Sequence, residues 1–241
     1  MNRNFEQKNR AEEMFYKQQG TPVTRVETNT FVSNVFSTMA LALVISGLSA
    51  YWIVASEFYM TLGGTGIMVL QFSPFILVMI MGFGYKKLSS LALIGFFILY
   101  SVLMGMSLGL IVLMYAKSTV YLTFGVTSAT FLSMAFLGYT TKTDLTKFGS
   151  LMMMGLWGII IAMIINFFMQ SSMMDYIISI IGVLVFTGLT AYDVQKIKEL
   201  SYQVVDGAEE TKKLVVMGAL NLYLDFVNLF LFLLRIFGDR D

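Results

Sequence analysis

Seven long apolar segments, separated by short polar gaps, constrain this chain more than any other feature of its sequence. They lie near residues 31–55, 66–85, 89–115, 120–139, 148–168, 176–195 and 217–237. Each has roughly 20 residues, the length that a helix needs to cross about 30 Å of hydrocarbon. Helices are favoured over strands because a spanning segment must satisfy its backbone groups internally. We therefore predict an all-α membrane protein: a polar tail over residues 1–30, then a domain of seven transmembrane helices over residues 31–241.

The composition supports this prediction and removes several chemistries. The chain is 57% hydrophobic and 13% charged, and its mean hydropathy is +0.75. A soluble domain of this size could not cover so much apolar surface with so few charges. Cysteine and histidine are both absent from the sequence, which excludes disulfides, thiol nucleophiles, zinc–cysteine sites and imidazole bases. The net charge of +1 gives no reason to expect nucleic acid as a partner.

The basic residues are distributed unevenly between the two sides of the predicted bundle. The tail and the even-numbered gaps hold 13 of them, whereas the other side holds Lys117, Arg235 and Arg240. The larger set is Arg3, Lys8, Arg10, Lys17, Arg25, Lys86, Lys87, Lys142, Lys147, Lys196, Lys198, Lys212 and Lys213. The positive-inside rule then predicts a cytoplasmic N-terminus and a C-terminus outside the cell.

One pair of glycines stands out within the spans. Gly105 and Gly109 form a GxxxG pattern, which is typical of helices that pack closely in lipid. Membrane helices carry many glycines for other reasons, so a single pair is weak evidence of a contact.

Two acids lie inside apolar segments, where an ionisable group is expensive and usually functional. Asp193 ends the sixth segment, and Asp225 lies within the seventh. Asn221 and Asn228 share one helix face with Asp225, and Thr190 lies one turn before Asp193. These two polar stripes should face one another or a wet cavity. The bland alternative is that each acid is protonated and merely helps the helices to pack.

A straight count of residues does not require the two acids to meet. Asp193 lies three residues before Lys196, about 5 Å along a helix, whereas Asp225 lies twelve residues after Lys213, about 18 Å. The carboxyls reach the same depth only if the seventh helix projects beyond the membrane by a turn or more.

If the two carboxyls do meet, their chemistry links protons to cations. A close pair in a medium of low dielectric constant cannot easily ionise twice, so it shares one proton and titrates as a unit. Loss of that proton leaves like charges that a cation can neutralise. Ca²⁺ suits such a site because it accepts several oxygen ligands in loose geometry, and amide oxygens can add to them. The sequence thus predicts a site, formed by Asp193 and Asp225, where protons and Ca²⁺ compete.

The residues around both acids resemble a known family. "GLTAYDVQKIKEL" and "GALNLYLDFVNLFLFLLRIFG" are similar to the two C-terminal signatures of the Bax-inhibitor family of membrane proteins. "FVSNVFSTMALALVISGLSAYW" and the stretch from Phe124 to Phe168 resemble its bacterial members, so the resemblance covers about residues 30–241. It implies seven helices with the last one central, and a bacterial inner membrane location. It also implies a pH-sensitive Ca²⁺ leak sensed by Asp193 and Asp225, with Ca²⁺ as the permeant ion and without an enzymatic activity or a cofactor.

The sequence departs from some relatives at one position. Those relatives hold the acid pair with an arginine at the cytoplasmic end of the second helix, where this chain has Lys86 and Lys87. Lysine lacks the bidentate fork of arginine, which weakens the expectation of such a latch. Arg235 is a poor substitute because it should lie near the opposite face.

Two other functions stay open at this point. One is a regulator that binds a membrane protease or another membrane protein without transporting ions, as some bacterial relatives are thought to do. The other is an intramembrane aspartyl protease, which also uses one acid from each of two helices. The protease is disfavoured because Leu222, Tyr223 and Leu224 precede Asp225 where such enzymes have Gly-x-Gly. Their Pro-Ala-Leu element is missing too, since Phe75 follows Pro74.

Overall fold

The structure is a computed structural model that describes residues 28–202, 204 and 208–238. Within these residues it contains seven long helices and one short 3₁₀ helix. The long helices are α1 (Thr28–Ala55), α2 (Gly63–Gly84), α3 (Ser90–Val112), α4 (Lys117–Thr140), α5 (Thr146–Met169), α6 (Ser172–Ser201) and α7 (Glu209–Phe237), and the 3₁₀ helix is Phe58–Thr61. The predicted tail lies outside the described residues over 1–27, and its last three residues belong to α1 instead.

All seven long helices are long and apolar enough to cross a membrane. The predicted all-α membrane fold with seven spans is confirmed. The predicted segments are shorter than the helices mainly at one place, the connection from α6 to α7. These two helices have 30 and 29 residues because the polar stretches around Lys198 and Lys212 continue the helical backbone beyond the apolar core. A helix can continue beyond its apolar stretch, because its backbone hydrogen bonds are made within the helix itself.

α7 is the central helix of the bundle. In its most apolar stretch 61% of the residues are buried, against 56% in α6 and no more than 33% in any other span. It packs along α1, α3, α4 and α6, while α2 packs mainly on α3 and α5 on α6. The last helix is thus central, as the resemblance implies. The six surrounding helices form an uneven ring, because α2 and α5 are peripheral.

The GxxxG pair of α3 lies at the closest crossing in the bundle's α1–α3 interface. A Cβ atom added to Gly105 would collide with the backbone of Ser46, and one added to Gly109 would meet Ala50 and Ile53. The absence of side chains lets the two backbones touch, as close helix packing in lipid requires. The close contact predicted for this pair is therefore present.

One end of the bundle carries most of the basic residues. α1, α3, α5 and α7 begin there, and α2, α4 and α6 end there. Side-chain contacts join these termini, including Ser90 at the start of α3 with Glu209 at the start of α7, and Lys198 of α6 with the carbonyl of Tyr139 in α4. We call this the lysine-rich end; among the described residues it holds Lys86, Lys87, Lys142, Lys147, Lys196, Lys198, Lys212 and Lys213.

Candidate functional site: a buried carboxyl pair

Asp225 lies in the middle of the central helix and is almost completely buried. It is only 4% exposed. Its Oδ2 atom makes no hydrogen bond within the described part of the chain. Burial of an unpartnered polar group costs about 1–3 kcal/mol, and more when the group is charged. A residue placed at such a cost at the centre of a membrane bundle is a functional candidate.

Asp193 lies on α6, is half-buried, and interacts electrostatically with Asp225. Side-chain contacts fix the register of the two antiparallel helices. Ile197 lies near Gly218, and Gly182 lies against Phe232. This register places Asp225 opposite the residue one turn before Asp193, so the two carboxyls are offset by about 5 Å along the helix axes.

The register also explains why a straight count separates the two acids. Ile197 lies four residues before the end of α6, whereas Gly218, its neighbour, lies nine residues after the start of α7. α7 therefore begins about 8 Å beyond the end of α6 at the lysine-rich end. That projection brings Asp225 to the depth of α6 at which it can interact with Asp193.

The predicted polar residues around the pair occupy three different environments. Thr190, opposite Asp225, is fully buried and donates a hydrogen bond to the carbonyl of Phe186 at 2.8 Å, which leaves its oxygen lone pairs available as acceptors. Asn228 is half-buried and donates its amide to the carbonyl of Leu224 at 2.8 Å. Asn221 is exposed, so the structure does not bring it into the buried group.

Lys86 and Lys87 are exposed at the lysine-rich end. The preceding residue, Tyr85, donates a hydrogen bond to the Glu210 carboxylate, which fixes this end of α2 beside the start of α7. Partial burial and the Glu210 carboxylate raise the pKa of the Tyr85 phenol, so it remains a donor. Glu210 is fifteen residues from Asp225, about 22 Å along the helix. The structure therefore does not bring the two lysines to the carboxyl pair, and a latch formed by them stays a prediction.

A different lysine is the cation near the pair. Lys196 interacts electrostatically with Asp193, three residues before it on α6. Its ammonium also lies 5.8 Å from the centroid of the Tyr192 ring. Residues three apart are neighbours on a helix surface. The spacing alone is thus enough to identify Lys196 as the counter-charge of Asp193.

A second buried polar cluster lies two residues from Asp225 and was not predicted. The hydroxyl of Tyr223, a fully buried residue, lies 2.7 Å from Ser46 Oγ. Ser46 Oγ in turn donates to the carbonyl of Ser101 at 2.7 Å, with the carbonyl of Ala42 at 3.0 Å as an alternative acceptor. Because the serine hydrogen is directed to a carbonyl, the phenol is the donor between Tyr223 and Ser46. This cluster joins α1, α3 and α7 by one chain of hydrogen bonds.

Aromatic rings surround the phenol of Tyr223. Tyr100 and Phe97 of α3 both meet the Tyr223 ring edge to face, with centroids 5.3 and 6.0 Å away. Such contacts fix the ring orientation and exclude water from the hydroxyl. The tyrosine is thus held rigidly against α1 and α3, on the side of α7 that faces away from α6.

The carboxyl pair by itself does not complete the ligand shell that Ca²⁺ prefers. The described residues contain no group of three or more acidic side chains that could hold a metal ion. Ca²⁺ takes six to eight oxygen ligands, and the two carboxyls with the Thr190 hydroxyl supply at most about five of them. Water would have to complete the shell.

Comparison with known proteins relates this chain to membrane proteins. The family model described as "Inhibitor of apoptosis-promoting Bax1" (Bax1-I) matches residues 28–241. An uncharacterized protein of Borreliella burgdorferi is 44% identical over 218 residues, covering 88% of this chain and 93% of the relative. The "Inner membrane protein YbhL" of Escherichia coli (strain K12) is 38% identical over 223 residues, covering 90% and 94%. An uncharacterized membrane protein of Streptococcus pyogenes serotype M6 is 42% identical over 158 residues, covering 66% and 68%.

Proposed function

We propose a pH-sensitive Ca²⁺ leak as the function of this chain, which belongs to the Bax inhibitor family of membrane proteins. The proposal rests on one observation: a nearly inaccessible carboxyl, Asp225, has an unpartnered oxygen and a second carboxyl, Asp193, within electrostatic range at the centre of the bundle. The family membership supports a membrane function, and the carboxyl pair supports the more specific proposal of a pH-sensitive Ca²⁺ leak.

The pair couples protonation to opening through like-charge repulsion. With one shared proton, the two carboxyls carry a single negative charge and can stay close in a medium of low dielectric constant. Removal of the proton adds a second charge beside the first. The repulsion then favours a state in which the site is wet and a divalent cation lies between the oxygens. Flux should therefore rise with pH through the titration of the pair.

The closed state is supported by burial on both sides of α7. Asp225 is sealed from water, and Tyr223 is held against Ser46 and the two rings of α3. The exposed amide of Asn221 lies one turn from Asp225 toward the lysine-rich end. An amide is a poor residue for lipid contact but a good one for the wall of a wet entrance. We infer that ions from the lysine-rich end reach the pair past Asn221.

Lys196 tunes the pair instead of Lys86 or Lys87. Its charge offsets that of Asp193, and so lowers the cost of the second ionisation. A side chain in this position modulates the pH at which the channel opens without lying in the permeation route. The exposed lysines at the end of α2 contribute to the positive potential of that end only.

Calcium flux from reconstituted proteoliposomes, measured as a function of pH, tests the proposal. In the wild-type protein one proton controls the pair, so the initial rate should change by up to about tenfold per pH unit below the titration. In Asp193→Asn the new side chain cannot ionise, so no second charge can form beside Asp225. The rate should then be independent of pH. Asp144→Asn is the matched control: its carboxylate is exposed in the α4–α5 connection and accepts from the backbone amide and the hydroxyl of Thr146, which asparagine can also do.

Unchanged pH dependence in Asp193→Asn would contradict the role of the pair. An absence of flux from the correctly folded wild-type protein would contradict transport itself. That second outcome would favour the regulator of another membrane protein.

We also propose that the protein lies in the bacterial inner membrane with the lysine-rich end in the cytoplasm, the N-terminus inside and the C-terminus outside. The positive-inside rule supports this orientation. Because the sequence contains no cysteine, single cysteines report it without background. Ser118→Cys, at the opposite end, should react with a membrane-impermeant maleimide on intact spheroplasts. Thr143→Cys, in the α4–α5 connection, should react only after permeabilisation. The reverse labelling pattern would show that the lysine-rich end faces outward.

A further inference from the structure

A groove of about 610 Å³ opens on the surface of the bundle, and neither Asp193 nor Asp225 lines it. Its walls are the first halves of α1 and α3, and the start of α7 contributes to its lining. The two walls meet farther along, where Gly105 and Gly109 bring α3 against α1. The groove is therefore a wedge that closes toward the middle of the membrane and opens at the lysine-rich end.

The lining of the groove changes character along its length. The open end carries Thr30, Asn34 and Lys212. The closed end carries Leu41, Ile45 and Ile98, which are apolar, and Ser101, whose hydroxyl already donates to the Phe97 carbonyl. The groove thus has a cation and hydrogen-bonding groups at its open end and mainly apolar side chains at its closed end. A phospholipid has the matching arrangement, with a charged headgroup followed by hydrocarbon chains.

The length of the groove also matches one leaflet. Thr30 and Ile45 are fifteen residues apart on α1, about 22 Å along the helix. A leaflet with its headgroups is about 20–22 Å thick. The polar end of the groove thus lies at the level of the headgroups, and the apolar end lies near the bilayer midplane.

The charge at the open end favours an anion. Lys212 is exposed, and Glu209 is the acid with which it interacts electrostatically. The Glu209 carboxylate already accepts hydrogen bonds from the backbone and the hydroxyl of Ser90. It is therefore committed to the α3–α7 connection, and a phosphate can approach Lys212 from the groove. Lysines near the membrane surface each contribute about fivefold to the binding of anionic lipid.

We propose that this groove binds one anionic glycerophospholipid of the leaflet at the lysine-rich end. Its phosphate contacts Lys212 and Asn34, and one acyl chain follows the groove between α1 and α3. The bound lipid fills the wedge, so it supports the α1–α3 pair against which α7 packs. The site is separate from the carboxyl pair and does not depend on ion transport.

Native mass spectrometry of the full-length protein tests the site. The protein is released from detergent micelles that contain phosphatidylglycerol or phosphatidylcholine, and the fraction with one bound lipid is measured against lipid concentration. Phosphatidylglycerol should bind more tightly. Lys212→Gln should weaken its binding by about fivefold, while Lys212→Arg should retain it. Lys213→Gln is the matched control, because Lys213 is the adjacent cation and does not line the groove.

A second pair of variants tests whether the lipid occupies the groove, independently of charge. Ser37→Phe places a ring inside the groove and should abolish the one-lipid peak. Ser33→Phe, on an exposed α1 position that does not line the groove, should leave it unchanged. Equal binding of the two phospholipids, equal weakening by Lys212→Gln and Lys213→Gln, or retention of the peak in Ser37→Phe would each overturn the proposal.

Discussion

Asp225→Asn is expected to make the protein more stable and, at the same time, to remove the pH dependence of its Ca²⁺ flux. The wild-type carboxyl is buried, has one oxygen without a hydrogen bond and interacts with a second carboxyl. Asparagine has nearly the same shape but cannot ionise, so it removes the repulsion with Asp193. We expect a gain of about 1.5–3 kcal/mol in the free energy of unfolding, the usual contribution of a hydrogen bond to a charged group, because the new amide can donate to the Asp193 carboxylate.

Thermal unfolding in detergent and flux from proteoliposomes measure the two effects on the same preparation. Asn228→Ala is the control one turn away. It removes the hydrogen bond to the Leu224 carbonyl and leaves the carboxyl pair intact. It should therefore lose about 1 kcal/mol and retain the pH dependence. A loss of stability in Asp225→Asn would show that the carboxyl is a packing element. Such an outcome would support the alternative that this acid is protonated and merely helps the helices to pack.

Gly105→Ala is expected to disrupt the bundle more than any other single methyl group added to α3. The new Cβ would overlap the backbone of Ser46, which is part of a packed helix and cannot move as a side-chain end can. Overpacking of a tight contact typically costs about 1–3 kcal/mol. The displaced Ser46 would also lose its hydrogen bonds to Ser101 and Tyr223.

Gly95→Ala provides the matched control within the same helix. A Cβ at Gly95 meets no atom within 4 Å, and alanine is favoured over glycine in a helix by about 1 kcal/mol. Unfolding in detergent should therefore show opposite signs for the two substitutions. Equal effects would mean that the α1–α3 crossing is loose enough to accept a side chain.

The sequence was sufficient to predict the spans because the bilayer requires a similar length of apolar sequence, about 20 residues, from every helix that crosses it. It was less informative at α6 and α7, where polar residues such as Lys198 continue the helices beyond the apolar stretch. The relative depth of Asp193 and Asp225 depends on the projection of α7. That projection is set by tertiary contacts, such as that of Ser90 with Glu209, between residues 119 apart in sequence.

Local spacing and distant contacts differ in how far they could be predicted. The pair formed by Asp193 and Lys196 follows from helix geometry, and sequence reasoning could have found it. The exposure of Asn221 and the position of Lys86 depend on which helices cover α7, which a helical wheel does not show. The contact of Ser46 with Tyr223 joins residues 177 apart. An apolar helix with a tyrosine offers no local signal of the serine that it will meet.

The hydrogen bond of Tyr223 has a mechanical consequence for the bundle. Gly105 lies against the α1 backbone, so α1 and α3 are in close contact at this crossing, where Ser46 also donates a hydrogen bond to the carbonyl of Ser101. The phenol of Tyr223 then links this crossing to the middle of α7, in addition to the contact of Ser90 with Glu209 at the start of α7. Helices that slide past each other move by a shear rather than a hinge. Any motion that uncovers Asp225 is therefore expected to be a shear of α7 along α1 and α3. In that motion the Tyr223 hydroxyl would exchange Ser46 for another acceptor.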